Sequence, residues 1–234
     1  MDINTETIFL ALASGVLPAL LWLFFWLRED KKRPEPRGLI FLTFIGGFVA
    51  VLFALAAEKV VEFFVPAGAV ITILLWSAIE EIFKYGASFF TSLRRREMDE
   101  PIDALIYLIT TALGFAALEN VFFMLTPLKG GNILQSIVTG NMRFIGATVL
   151  HTLTSGVVGL FIAFSFYKEK AAKKNYLALG LILSIVLHAL FNFFIINTDN
   201  YGIFTVFAVV WIATIALILF FEKVKQIKRK RNNF

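Results

Sequence analysis

The chain has 234 residues, of which 59% are hydrophobic and 17% charged. Soluble domains carry about 25% charged residues, so this sequence cannot cover a water-facing globule, and it reads as an integral membrane protein, expected to be all-α and multi-pass. The net charge of +5 does not imply a nucleic-acid partner, because the basic residues cluster at the ends of apolar segments, as membrane orientation requires, and the lack of cysteine excludes disulfides and thiolate metal ligands.

A helix crossing the hydrocarbon core needs about 20 apolar residues. Seven segments qualify: Ile8–Leu27, Leu39–Ala57, Ala69–Thr91, Ile102–Leu125, Arg143–Phe166, Tyr176–Ile196 and Ile203–Phe221. Arg28, Lys31, Lys32, Arg33 and Arg37 follow the first span, and Arg94, Arg95 and Arg96 the third. Lys168, Lys170, Lys173 and Lys174 follow the fifth, and Lys223, Lys225, Lys228, Arg229, Lys230 and Arg231 the seventh. The opposite connections hold only Lys59 and Lys129. This asymmetry predicts an outside N-terminus and a cytoplasmic C-terminus.

Asp2 and Glu6 precede the first span where a signal peptide would carry positive charge, so it is expected to be a retained helix. Turns are expected at Pro66-Ala67-Gly68, Lys129-Gly130-Gly131-Asn132 and Asn197-Thr198-Asp199-Asn200. With no repeat or low-complexity linker, residues 1–234 read as one bundle of seven helices. Its basic tail, 222–234, would lie on the anionic lipid of the bilayer.

The third span carries Glu80, Glu81 and Lys84. A charged side chain at the bilayer centre costs about 2.5–3.5 kcal/mol on insertion scales, so such groups are held for a partner or for chemistry. Glu80 and Lys84 share a helix face at the i,i+4 spacing, and Glu81 meets Lys84 at i,i+3. Adjacent carboxylates cannot both enter one narrow cavity. One should face the interior while the other braces it or pairs with Lys84.

In the fourth span Glu119 has no cationic neighbour on its own helix, so its partner must come from another; Phe115 lies one turn away and could shield it from water. The only two histidines, His151 and His188, both fall inside spans. Each such group alone is accounted for by an ion pair or hydrogen bond between helices, but two histidines beside three buried glutamates indicate a site. His188 and Asn192, at i,i+4, can donate two hydrogen bonds toward a common point, as an oxyanion requires. Arg143 either snorkels to headgroups or belongs to the same site. Counting about 1.5 Å per residue from each cytoplasmic end puts Glu80 roughly 16 Å deep, His188 roughly 18 Å, His151 roughly 22 Å and Glu119 roughly 25 Å. Four helices thus bring polar groups to one layer.

The Glu-Glu-x-x-Lys of Glu80–Lys84, the Phe-x-x-x-Glu of Phe115–Glu119, the intramembrane His151 and the His-x-x-x-Asn of His188–Asn192 resemble the PrsW family of intramembrane proteases, which is related to the Abi group and its CAAX-processing endopeptidases. The resemblance covers most of the chain from the third span onward. It implies a polytopic enzyme acting on membrane-anchored protein substrates, with site-1 cleavage of anti-sigma factors as the associated reaction, and a catalytic core at about residues 69–200. Glu80 and Glu81 match the paired glutamates needed for activity, Glu119 the acid of the second motif, and His188 with Asn192 the last motif. In CAAX endopeptidases the first motif ends in arginine and the second in histidine; Lys84 and Glu119 stand here, which argues against prenylated CAAX substrates.

Two mechanisms use these residues. In the leading one Glu80 is the general base for an attacking water, assisted by His151 or Glu119, with His188 and Asn192 receiving the oxyanion and Glu81 and Lys84 holding Glu80. In the other, His151, His188 and either Glu80 or Glu119 hold zinc, whose bound water has a pKa of about 7; the resemblance carries a metalloprotease label, although no His-Glu-x-x-His helix is present. A non-catalytic scaffold and a proton-coupled transporter are the rival classes. The first has no need of the full set of acids, and the second usually shows repeated halves, which this sequence lacks.

Overall fold

Within hydrocarbon every backbone N–H and C=O must be bonded inside the structure, so each apolar segment folds as a helix. The computed structural model describes residues 5–30, 33–65, 70–130, 133–198 and 200–228. Helices α1 (Thr5–Leu27), α2 (Arg37–Phe64) and α3 (Val70–Ser88) are followed by α4 (Asp103–Lys129), α5 (Ile133–Met142), α6 (Thr148–Phe164), α7 (Lys170–Asn197) and α8 (Asn200–Val224). A π-helical turn, Phe89–Leu93, ends α3, and a second, Arg143–Ala147, joins α5 to α6. Six stretches are long and apolar enough to cross a membrane among the described residues. Helix α3 is about 29 Å long at 1.5 Å per residue, so it also matches a bilayer, and Glu80, Glu81 and Lys84 are what dilute its apolar character. The chain is an all-α, multi-pass membrane protein.

The expected fifth span began at Arg143, whereas the apolar stretch observed runs from Val138 to Phe164 through the π-turn. Gln135, Ser136, Thr139 and Asn141 make α5 too polar for hydropathy to reveal. Helix α2 likewise continues past Ala57 through Glu58, Lys59 and Glu62, because helical hydrogen bonding does not stop where apolarity does. The turn at Pro66-Ala67-Gly68 lies outside the described residues, as do Gly131, Asn132, Asp199, the basic Lys31 and Lys32, and residues 229–234.

Helix α4 is the axis of the bundle. Its residues from Asp103 to Ala117 are buried on every side, in contact with α1, α2 and α6. Small residues permit this, since helices in lipid associate mainly by close packing. A Cβ on Gly114 would lie 2.0 Å from the Phe44 carbonyl oxygen, and one on Gly47 would lie 2.2 Å from that of Thr111. The backbones of α2 and α4 therefore touch. Helix α3 leans on α2, α4 and α7, and α6 packs against α4, α7 and α8, so the helices carrying the candidate site residues close a ring in the order α3, α4, α6, α7. At the end read as cytoplasmic, Arg33 pairs with Glu100 at 2.6 Å and Lys225 with Glu29 at 2.9 Å, tying the connections together.

Candidate active site

Neighbouring residues on a helix point about 100° apart, so Glu80 and Glu81 face different surroundings. Glu81 is 1% exposed and is surrounded by donors. Its Oε1 accepts from Lys84 Nζ at 2.5 Å, Thr154 Oγ1 at 3.0 Å and His188 Nδ1 at 2.7 Å, and its Oε2 accepts from Ser184 Oγ at 2.9 Å. An ionised carboxylate can only accept, so His188 carries its hydrogen on Nδ1 and its Nε2 presents a lone pair. That nitrogen is 3.8 Å from Glu80 Oε2.

His151, on α6, has a matching arrangement. Its Nε2 lies 3.0 Å from Glu119 Oε2, to which it donates, leaving Nδ1 as an acceptor 3.9 Å from Glu80 Oε2. The Lys84 ammonium is 3.0 Å from the same Nδ1. The same Glu119 Oε2 also accepts from Arg143 Nη2, while Arg143 Nε donates to Asn120 Oδ1 at 2.5 Å and the guanidinium lies 3.8 Å from the centre of the Phe123 ring. Asn120 in turn donates to Thr148 Oγ1 at 3.0 Å. Arg143 sits on the π-turn, a local widening that recurs at functional sites, and pairs with Glu119 inside the bundle. The two imidazoles are perpendicular, 5.2 Å between centres, and Phe115 packs against His151 and under Lys84.

Glu80, Glu119, Arg143, His151, His188 and Asn192 line one cavity of about 480 Å³. Glu81 and Lys84 lie behind the imidazoles and support them. Lys84 is engaged by Glu81 and His151: of the two expected arrangements the second carboxylate pairs with Lys84, and the expected holding of Glu80 by Glu81 and Lys84 is not the one observed. Glu80 Oε2 is buried with no hydrogen-bond partner among the described residues, a costly state for a polar atom. Four contributors were not anticipated. Thr154 and Ser184 could have been found by spacing, three residues after His151 and four before His188 respectively. Asn120 adjoins Glu119, and Glu58, which also lines the cavity, sits where a charge normally marks the end of a span.

One ligand atom from each of Glu80, His151 and His188 lies within 4.8 Å of the others. Metal-binding histidines almost always give their second nitrogen to a carboxylate or carbonyl, and both imidazoles do so here, to Glu119 and Glu81. The donor set fits a zinc-type ion, with Glu80 as the third member and Glu119 positioning His151.

The model of the family described as PrsW family intramembrane metalloprotease matches residues 35–219. Protease PrsW of Oceanobacillus iheyensis is 29% identical over 189 residues, 78% of this chain and 81% of that protein. The Geobacillus kaustophilus protein of the same name is 27% identical over 203 residues, 83% of each, and that of Shouchella clausii is 26% identical over 222 residues, 92% of this chain and 96% of its own. No solved structure matches. With most of its length inside the family model, the chain belongs to the PrsW family of intramembrane metalloproteases and is a multi-pass membrane protease.

Proposed function

We propose that this protease hydrolyses a peptide bond of a membrane-anchored protein, of the anti-sigma-factor kind, with a water held between Glu80, His151 and His188. The observation that carries the reading is the convergence of Glu80 Oε2, which has no hydrogen-bond partner among the described residues, with two imidazole nitrogens at 3.8 and 3.9 Å, inside a cavity within the bundle. Glu80, His151 through Nδ1 and His188 through Nε2 would hold zinc, which when bound supplies a water with a pKa of about 7 and polarises a carbonyl. Glu81 and Glu119 fix the two imidazole tautomers, and Lys84 and Arg143 balance their charge. With Nδ1–H given to Glu81, a neutral His188 has no hydrogen left for an oxyanion, so that donation falls to the Asn192 carboxamide. Asn192 lies one turn further along α7, five residues from the helix end Asn197, or about 8 Å. This favours a scissile bond on the extracytoplasmic side.

A second reading keeps Glu80 as the direct general base without metal. It is favoured by the Lys84 ammonium, which already donates to the His151 nitrogen that a metal would need. In either reading the catalytic core is residues 69–200 and the basic tail, 222–234, serves the membrane surface. The test is cleavage of a membrane-anchored peptide by purified protein, wild type and Glu80→Gln, with elemental analysis before and after chelation. Both readings expect E80Q to be folded and inactive, and E80Q with undiminished turnover would end both. Activity lost on chelation and restored by zinc supports the metal; full activity in metal-free protein assigns the chemistry to Glu80 alone.

A further inference from the structure

A second group of acids lies at the opposite, cytoplasmic end of the bundle, away from the catalytic cavity. Asp30 ends the short 3₁₀ turn after α1, Glu35 lies in the α1–α2 connection and Asp103 opens α4. A carboxylate oxygen of each lies within 4.8 Å of one from each of the others. Asp30 is 6% exposed and Asp103 1% exposed.

Three carboxylates so placed repel one another, and burial raises the cost. Two nearby cations among the described residues are already engaged. Arg33 is bonded to Glu100 and lies 3.8 Å from Asp99, and Lys225 is bonded to Glu29 and Glu222. Two of the three acids are anchored. Asp103 Oδ2 accepts from the backbone N–H groups of Asp99 and Glu100 at 2.9 and 2.6 Å, and Glu35 accepts from the Tyr107 hydroxyl. Asp30 differs: its buried Oδ2 has no hydrogen-bond partner among the described residues.

We propose that Asp30, Glu35 and Asp103 bind a hard divalent cation of the calcium type at the cytoplasmic end of the bundle. The donors are all oxygen, which suits calcium or magnesium and disfavours zinc. Magnesium is usually held by one or two carboxylates together with several waters, whereas calcium takes six to eight oxygens in flexible geometry, so three converging carboxylates fit calcium better. The ion would pin the α1–α2 connection to the first turn of α4, the helix whose outer half carries Glu119.

Calcium is also the discriminating probe, because it takes oxygen ligands and does not seek the imidazoles of the catalytic cavity. Detergent-purified protein, stripped with chelator and exchanged into divalent-free buffer, is titrated with calcium chloride by calorimetry, and its melting temperature is followed in parallel. One saturable calcium per chain with a rise in Tm is expected. Asp30→Asn and Glu35→Gln, both nearly isosteric, should each weaken binding at least tenfold, while Glu80→Gln leaves it unchanged. No saturable binding to the wild type would mean that the acids share protons instead, and would overturn the proposal. So would wild-type affinity in both D30N and E35Q, or a loss of binding in E80Q.

Discussion

Glu81 and His188 stand 107 residues apart in the chain and meet at 2.7 Å, carboxylate oxygen to Nδ1. Glu119 and His151 form the counterpart pair through Nε2 at 3.0 Å. Each pair carries its own cation, Lys84 on the first and Arg143 on the second. The site is thus built as two carboxylate–imidazole units that turn their remaining nitrogens toward Glu80. The buried charges of the two units are offset locally, which is what makes such a pairing tolerable in a low-dielectric bundle.

The first unit predicts the outcome of Glu81→Gln. The amide loses the charge that holds Lys84 and frees the tautomer of His188. Removing one partner of a buried pair costs about 3–5 kcal/mol, and loss of a partner behind a metal-binding histidine lowers metal affinity about 10–100-fold. E81Q should therefore melt earlier and cleave poorly and, on the proposed metal reading, hold less zinc. Ser184→Ala removes one hydrogen bond to the Glu81 carboxylate, worth about 1.5–3 kcal/mol, but leaves its charge and the three donors on Oε1 in place, so it should melt earlier than wild type yet keep more activity than E81Q. Wild-type zinc content and turnover in E81Q would contradict the supporting role given to Glu81.

The second unit makes a prediction for Arg143, which bonds Glu119 and Asn120 through different nitrogens. Hydrogen bonds to charged groups contribute about 1.5–3 kcal/mol each. Arg143→Met should lower kcat/KM about 10–100-fold. Arg143→Lys should recover only part of this, since an ammonium lacks the fork that reaches both partners. Steady-state rates of the two variants test the idea. Equal rates in R143K and wild type would indicate that charge alone matters.

Much of this was legible in the sequence, for identifiable reasons. Hydropathy marks spans because lipid imposes a length on them, and it located the seven long helices. Glu80, Glu119, His151 and His188 were visible as polar residues within apolar runs, and depth counting placed them in one layer. What one-dimensional spacing could not supply was the pairing between helices. Spacing offered Lys84 two partners, Glu80 at i,i+4 and Glu81 at i,i+3; the structure pairs it with Glu81 and adds His151 from α6, which spacing does not reach. The role of Arg143 was hidden for a related reason: α5 is too polar to be seen by hydropathy, so Arg143 looked like the start of a span rather than the middle of a longer helical run. The Asp30, Glu35 and Asp103 group depends on a connection folding back under α4, which no periodic signal encodes.

The contact between α2 and α4 gives a last prediction, about stability and its transmission to the site. At Gly47 and Gly114 an added Cβ would strike backbone atoms of the facing helix at 2.2 and 2.0 Å, and backbone cannot move aside as a side-chain end can. Overpacking typically costs about 1–3 kcal/mol, so Gly47→Ala and Gly114→Ala should each lower Tm. Separating the helices also shifts α4, which carries Glu119, so activity should fall at temperatures where the variants remain folded. Gly86 is the control: it lies within α3, a Cβ there meets nothing within 4 Å among the described residues, and alanine in a helix interior is favoured over glycine by roughly 0.5–1 kcal/mol. Gly86→Ala should therefore match or exceed the wild-type Tm. Thermal unfolding of the three variants in one detergent decides the matter, because a general sensitivity of the bundle to alanine would lower all three, whereas close packing of α2 on α4 lowers only the first two.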